Sequence, residues 1–178
     1  MTLEDVEKLE LTRLCQEIHY LTPEFGSCLM QAGAICLEDQ GHFVGVNLTI
    51  NGEFNRIFAL YWPAVTDQMR RTWQDEEVAT EHGAYGIAFL LILDLTGLTV
   101  IERSIKGTGF DYWIGDDSGE LFQNKARLEV SGIRRGDDSS IKARVKKKIK
   151  QTQISDGFNS AYIVVVEFSR PISQIVKR

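Results

Sequence analysis

Gly109-Phe110-Asp111-Tyr112-Trp113 and Arg127-Leu128-Glu129-Val130-Ser131-Gly132 are two short extended stretches, each carrying one acid among apolar neighbours. Side chains alternate across a strand, so Arg127, Glu129 and Ser131 share one face while Leu128 and Val130 take the other. A carboxylate within a sheet costs free energy unless something positive compensates it. Two of them on successive strands therefore point to a divalent cation. A hard ion such as Mg²⁺ takes carboxylate oxygens and keeps several waters, so two acids and a phosphate suffice. The plainer alternative is a set of ion pairs with Arg127, Arg103 or Lys125 on a solvated face.

Working outward, three extended segments are expected at 98–105, 109–115 and 125–133. Lys106-Gly107-Thr108 and Asp116-Asp117-Ser118-Gly119 supply the turns between them. A helical region starts at Pro63, bends near 74–77 or at Gly83 and Gly86, and ends at Gly97. Its second half is apolar almost all round, as befits a helix at the centre of a domain. Residues 139–152 predict a helix. Residues 161–168 predict a strand, and its Ile163-Val164-Val165-Val166 run implies burial on both faces. The C-terminal half thus reads helix, strand, strand, strand, helix, strand.

Upstream, Val6, Leu9, Leu11, Leu14 and Ile18 fall at helical spacing over residues 3–20. Thr22-Pro23-Glu24 reads as N-cap, first helical residue and first-turn acid. Phe25, Cys28, Leu29, Ala32 and Cys36 continue one face of that second helix, which Gly41 can close. Segments 43–50 and 53–62 flank Asn51-Gly52, the signature of a two-residue hairpin, with Val44, Val46, Leu48 and Ile50 on its buried face. The expected fold is α+β in one domain, 1–178. Residues 1–75 give two helices and a hairpin, and residues 76–178 a mixed sheet flanked by helices.

The order of elements, with Asp111 on the second strand and Glu129 on the third, resembles the restriction-endonuclease-like family with the PD-(D/E)xK motif. The resemblance covers roughly residues 76–168 and implies an αβββαβ core. It implies that Asp111 and Glu129 ligate Mg²⁺ or Mn²⁺, with the Val130 carbonyl as a third ligand, and that Glu81 is an additional acid. The motif's Lys, two residues after Glu129, is Ser131 here. Lys142 and Lys146 are the candidates to replace it, because a long stem can deliver an ammonium from a neighbouring helix. The activity implied is metal-dependent hydrolysis of DNA phosphodiesters in a prokaryotic defence or DNA-processing setting. The alternative is an inactive nuclease-like subunit that binds nucleic acid or a protein partner.

Charge is unevenly spread. Residues 134–150 carry eight Lys or Arg and two Asp, a net of +6 against −5 for the whole chain, which leaves −11 elsewhere. A basic patch on an acidic body fits nucleic acid meeting one face. Lys142, Arg144, Lys146, Lys147 and Lys150 are the residues expected to contact it. Ile141, Val145 and Ile149 form the apolar stripe of the same helix, with Lys142, Lys146 and Lys150 on one flank and Arg144 and Lys148 on the other.

Cys15, Cys28 and Cys36 form no C-x-x-C pair and read as buried thiols of a cytoplasmic protein. No basic-then-apolar leader follows Met1. The longest apolar run, 87–93, falls short of the ~20 residues of a membrane span, so no membrane partner is expected. A protein partner or self-association stays open. His19, His42 and His82 have no Ser or Cys arranged for nucleophilic catalysis. Lys106-Gly107-Thr108-Gly109 lacks phosphate-loop spacing. Tyr112 and Trp113 are expected to pack against the core or a neighbouring subunit.

Overall fold

A computed structural model describes residues 6–16, 18, 20–116 and 126–178. The architecture is mixed α+β: one eight-stranded mixed sheet and four α-helices among the described residues. The strands are β1 (Glu7–Glu10), β2 (Asn47–Gly52), β3 (Arg56–Tyr61), β4 (Thr99–Arg103), β5 (Tyr112–Gly115), β6 (Ala126–Ile133), β7 (Ala161–Glu167) and β8 (Ile172–Lys177). The helices are α1 (Pro23–Asp39), α2 (Asp67–Thr72), α3 (Glu76–Thr96) and α4 (Asp138–Thr152). Across the sheet the strands run β1-β3-β2-β8-β7-β6-β5-β4. β4, β5 and β6 form an antiparallel meander, β7 lies parallel to β6, and β8 returns antiparallel to β7.

Local chemistry sets the helix ends. The Thr22 hydroxyl accepts from the Phe25 amide at 3.2 Å, with Pro23 next in line. Asp75 caps α3 by accepting from the amides of Glu77 and Val78, and Gly97 ends it at φ 73°. Asp137 caps α4 through the Ser140 amide at 2.8 Å. α1 and α3 pack together on one face of the sheet, above Leu48, Phe58, Leu128, Val130 and Val164. α4 covers the other face, its Ile141, Val145 and Ile149 stripe meeting Ile133, Ile163 and Val165. α3 is the one described helix whose length and composition suit a bilayer, but 67% of that window is buried inside the fold, the setting of a core helix.

Several expectations need correction. The N-terminal segment is not a helix over its described part: β1 pairs parallel with β3, and a 3-10 helix, Leu11–Cys15, follows. Leu9 is the buried residue of β1, and Leu11 and Leu14 align beyond it because side chains three apart eclipse in a 3-10 helix. β2 and β3 do pair antiparallel, but Ile50 faces Arg56, so the turn is longer than two residues. Asn51 and Gly52 instead pair with Gln174 and Ile175 of β8. The 63–95 region breaks at Trp73, and its first helix starts at Asp67 behind a Thr66 cap, not at Pro63. Cys28 lies on the exposed side of α1, while Cys36 is buried. β8 had no counterpart in the sequence expectations. Residues 117–119 of the expected turn, with Lys125 and His19, lie outside the described residues.

Glycines let the layers close. Gly83 of α3 meets Gly33 of α1 backbone to backbone, a Cβ on Gly83 falling 3.1 Å from the Gly33 Cα. Gly132 of β6 lies beneath α3, where an added Cβ would stand 2.5 Å from the Thr80 carbonyl oxygen. Overpacking against backbone cannot be relieved by a rotamer change. Gly132→Ala is therefore expected to lower the unfolding free energy by about 1–3 kcal/mol, read as a lower urea midpoint at unchanged slope. An unchanged midpoint would mean that α3 can retreat from β6 at no cost.

Candidate functional site

Asp111 sits one residue before β5, where the ladder with β6 is running out. Its amide donates to the Leu128 carbonyl at 2.9 Å, and its carbonyl accepts from Ser104 at 2.8 Å. Tyr112 is in register with Leu128, so one step back along the antiparallel pair brings Asp111 alongside Glu129. The Asp111 carboxyl then takes over as a strand partner: Oδ2 accepts from the Val130 amide at 2.8 Å, and Oδ1 from the Tyr85 hydroxyl of α3 at 3.1 Å. The amide and carbonyl of an extended residue point the same way, so the Val130 carbonyl faces that side too. The bend ahead of Asp111 needs Gly109, whose φ is +83° and whose Cβ would fall 2.4 Å from the Gln151 carbonyl oxygen.

Glu129 is fully buried. Its Oε1 accepts from Lys148 Nζ at 2.5 Å and from Gln151 Nε2 at 3.0 Å, both on α4. Its Oε2 is buried and meets no donor among the described residues. Burial first, then the neighbouring Asp111 charge, push the Glu129 carboxyl up to about 8, against the pull of Lys148. An ionised Glu129 would be a buried charge beside a like one. A proton or a cation between them resolves the conflict.

The other named residues divide clearly. Arg144 reaches down from α4 to Ser131, its Nη1 donating to the hydroxyl at 2.6 Å and to the Gly132 carbonyl at 3.1 Å. Lys142, Lys146, Lys147 and Lys150 are exposed on α4 and line neither cleft beside the carboxyls. Lys148, not Lys142 or Lys146, is the ammonium in contact with Glu129. Glu81 is exposed on α3 and lies 3.4 Å from the Tyr85 hydroxyl, so it is linked to Asp111 through Tyr85. Burial chiefly, and then the Asp111 and Glu81 charges, raise the Tyr85 phenol, which stays a donor. Arg127 is no partner of Glu129: buried, it donates to the carbonyls of Thr152, Ser155 and Asn159 and closes the end of α4. Arg103 lies over the Tyr112 ring. His82 bonds its own helix at the Val78 carbonyl, and His42 bonds the Phe168 carbonyl.

Two clefts flank the carboxyl pair. One, of about 510 Å³, is bordered by Glu76 and Glu81 of α3 and by Ser131, Arg134, Arg144 and Lys148. The other, of about 420 Å³, is bordered by Ile105, Lys106, Phe110, Asp111, Gln151 and Ile154. No group of three or more His, Cys, Asp or Glu side chains suited to a metal occurs among the described residues. No protein-family model, curated protein or solved structure matches this chain.

Sequence reasoning missed Tyr85, Lys148 and Gln151. Helical periodicity separates the two basic flanks of α4 but does not say which one faces the sheet. The Gln151 signal was its position three residues beyond Lys148, which puts both on one side of the last turn.

Glu129 makes stability depend on pH with a definite sign. The folded carboxyl holds its proton to about pH 8, whereas an unfolded Glu loses it near ~4.3. Between those values the folded chain binds more protons, so stability falls as pH rises. The contribution is complete below the unfolded value and gone above the folded one. Glu129→Gln keeps the shape without the titration, so relative to the parent its metal-free urea midpoint should gain steadily from pH 5 to pH 8. A constant difference between the two across that range would remove Glu129 as the source.

Proposed function

We propose that the Asp111–Glu129 pair is the divalent-cation site of a nuclease-like protein acting on DNA phosphodiesters. The observation that carries this reading is the buried Glu129 Oε2, which meets no donor among the described residues, on the carboxyl that neighbours Asp111. The donor set is all oxygen: one Glu129 oxygen, the Asp111 carboxyl and the Val130 carbonyl, which suits Mg²⁺ or Mn²⁺ with water and substrate completing the shell. The meander β4-β5-β6, the return through α4 and the parallel pairing of β6 with β7 support a restriction-endonuclease-like core. β1–β3, α1 and α2 are its N-terminal addition. The three free cysteines fit a reducing cytoplasm.

A cation bound there would polarise a phosphoryl oxygen and acidify a water. The chain's own groups do the rest. Lys148 neutralises one Glu129 oxygen and holds an ammonium beside the site, where negative charge builds on a phosphate under attack. It takes the role first assigned to Lys142 or Lys146. Tyr85 and the Val130 amide fix the Asp111 carboxyl in one orientation. Arg134 and Arg144 lead a phosphate in along the larger cleft. The exposed Lys142, Lys146, Lys147 and Lys150 extend that path as backbone contacts.

A second reading has its own observation. The strand offers Ser131 where the motif has Lys, and Arg144 is bonded to it. A subunit that keeps the acids for structure and binds nucleic acid or a protein partner without cutting would tolerate that exchange.

Three measurements test these readings. Mn²⁺ or Mg²⁺ should raise the melting temperature, by about 2.7 kcal/mol of stability at a hundredfold excess over Kd, and Glu129→Ala should abolish the gain. No stabilisation of the parent by either ion would end the metal reading. Lys148→Met should keep the ion-induced gain yet lose about 10²- to 10³-fold in cleavage rate. A parent that binds DNA and never cuts it would leave the binding-subunit reading. Replacing Lys142, Lys146 and Lys150 with Glu should weaken DNA binding and reduce the salt slope by about 2 to 3. An unaltered slope would take the exposed flank of α4 out of the interface.

A further inference from the structure

The smaller cleft is unlike the larger one. Ile105 and Ile154, exposed by 81% and 72%, stand on its border, and Lys106 supplies a cation there. Phe110, also on its border, packs edge-to-face on Trp113 at 4.7 Å, and Trp113 does the same with Phe158 at 5.3 Å. Phe158 is 60% exposed. Ile105 and Ile154 on the border, and Phe158 at the outer end of an aromatic row that starts from the 5%-exposed Phe110, are large apolar side chains that a folded chain gains nothing by exposing. The cleft shares Asp111 with the carboxyl pair, and Gln151 joins them by bonding Glu129.

We propose that this cleft seats an unpaired nucleobase of the strand whose phosphate lies at the Asp111–Glu129 pair, which makes single-stranded or frayed DNA the preferred substrate. The inference rests on the nuclease-like reading and adds a substrate class to it. A base offers its π-face and apolar edge only when it is out of a duplex stack. Aromatic and aliphatic side chains beside a cationic groove are the recurring means of holding such a base, tolerant of sequence because every base has a π-face. The volume, about 420 Å³, lies within the range of small-ligand clefts. Lys106 complements the phosphate that follows the seated base. The larger cleft, bordered by arginines and without an exposed apolar row, takes the backbone on the other side of the scissile bond.

The experiment compares a labelled 20-mer single strand with a blunt duplex of the same length, by fluorescence anisotropy in EDTA so that both stay intact. The parent should favour the single strand. Phe158→Ser and Ile154→Ser, both at exposed positions and checked for unchanged melting, should each weaken single-strand binding about tenfold and leave the duplex unaffected. Equal losses on both probes, no loss on either, or binding of neither probe would overturn the inference. So would a concentration-dependent dimer in sedimentation that Phe158→Ser dissolves, because the patch would then belong to a second copy. Cleavage with Mn²⁺ separates the two levels. Cutting of duplex and single strand alike, abolished by Glu129→Ala, would keep the nuclease-like reading and remove this one. Single-strand preference lost in Phe158→Ser, with no cutting of any probe, would keep the seat and remove catalysis.

Discussion

A carboxyl group without access to water, facing a second carboxyl across neighbouring strands, sets the terms for the whole C-terminal half. Glu129 has Lys148 and Gln151 on one oxygen and, among the described residues, no donor on the other. Asp111 is held from two sides, by a backbone amide of β6 and by a phenol of α3. Glu129 gains nothing from this arrangement in the absence of a cation or proton, since desolvation and the neighbouring like charge both oppose its ionisation. A sheet selected for stability alone would carry apolar residues at these positions. The pair is therefore best understood as a strained feature that the rest of the fold supports.

That support is distributed. α3 is buried all round from Gly83 to Ile92 and fixes Tyr85 through ring contacts with Phe89 and Tyr112. Gly132 lets α3 approach β6, which carries Glu129. On the opposite face, Arg127 ties the end of α4 to the start of β6 with bonds to three carbonyls. The turn that carries Lys148 and Gln151 is thereby held over the acid that needs them. Glu167, also fully buried, shows the contrasting case: its oxygens accept from the amides of Gly136, Ser169 and Arg170, and it staples the β7–β8 turn. Two buried glutamates thus have different meanings, one saturated with donors and one left short.

Much of this was legible in the residues. The meander, the core helix ending at Gly97, the capped α1 and the basic helix follow from turn chemistry, capping and periodicity. The acids on successive strands could be seen as neighbours because alternation and strand order are local rules. What was not legible depended on long-range pairing. β1 reads as helix because Leu9, Leu11 and Leu14 satisfy either period, and only β3 beside it decides. β8 has too short an apolar signal, Ile175 and Val176, to announce a strand that joins β2 to β7. Asn51-Gly52 marks a turn in isolation, yet pairing with β8 draws both residues into the sheet. The choice of Lys148 over Lys142 or Lys146 likewise depends on how α4 crosses the sheet, which no helical wheel contains.

If a polyanion enters, as proposed, the electrostatics of the larger cleft would set its path on an otherwise acidic protein. Its two banks have opposite signs: Glu76 and Glu81 on α3, Arg134, Arg144 and Lys148 on the α4 side. The acids at the start of α3 favour the helix, since negative charge there complements its dipole, but they repel a phosphate chain. On the proposed reading, a strand approaching the carboxyl pair would be confined to the bank of Arg134 and Arg144, with the exposed lysines of α4 continuing it outward. Past the pair lies the smaller cleft, where exposed Ile105 and Ile154 stand beside Arg103 and Lys106, and where Phe110 leads to the Trp113–Phe158 row. Exposed isoleucines border the acid pair on one side only, and on the proposed reading they would give the site a direction. On the proposed reading, a backbone would be recognised on one side and an unstacked base on the other, and that asymmetry would separate a strand end or single strand from the interior of a duplex.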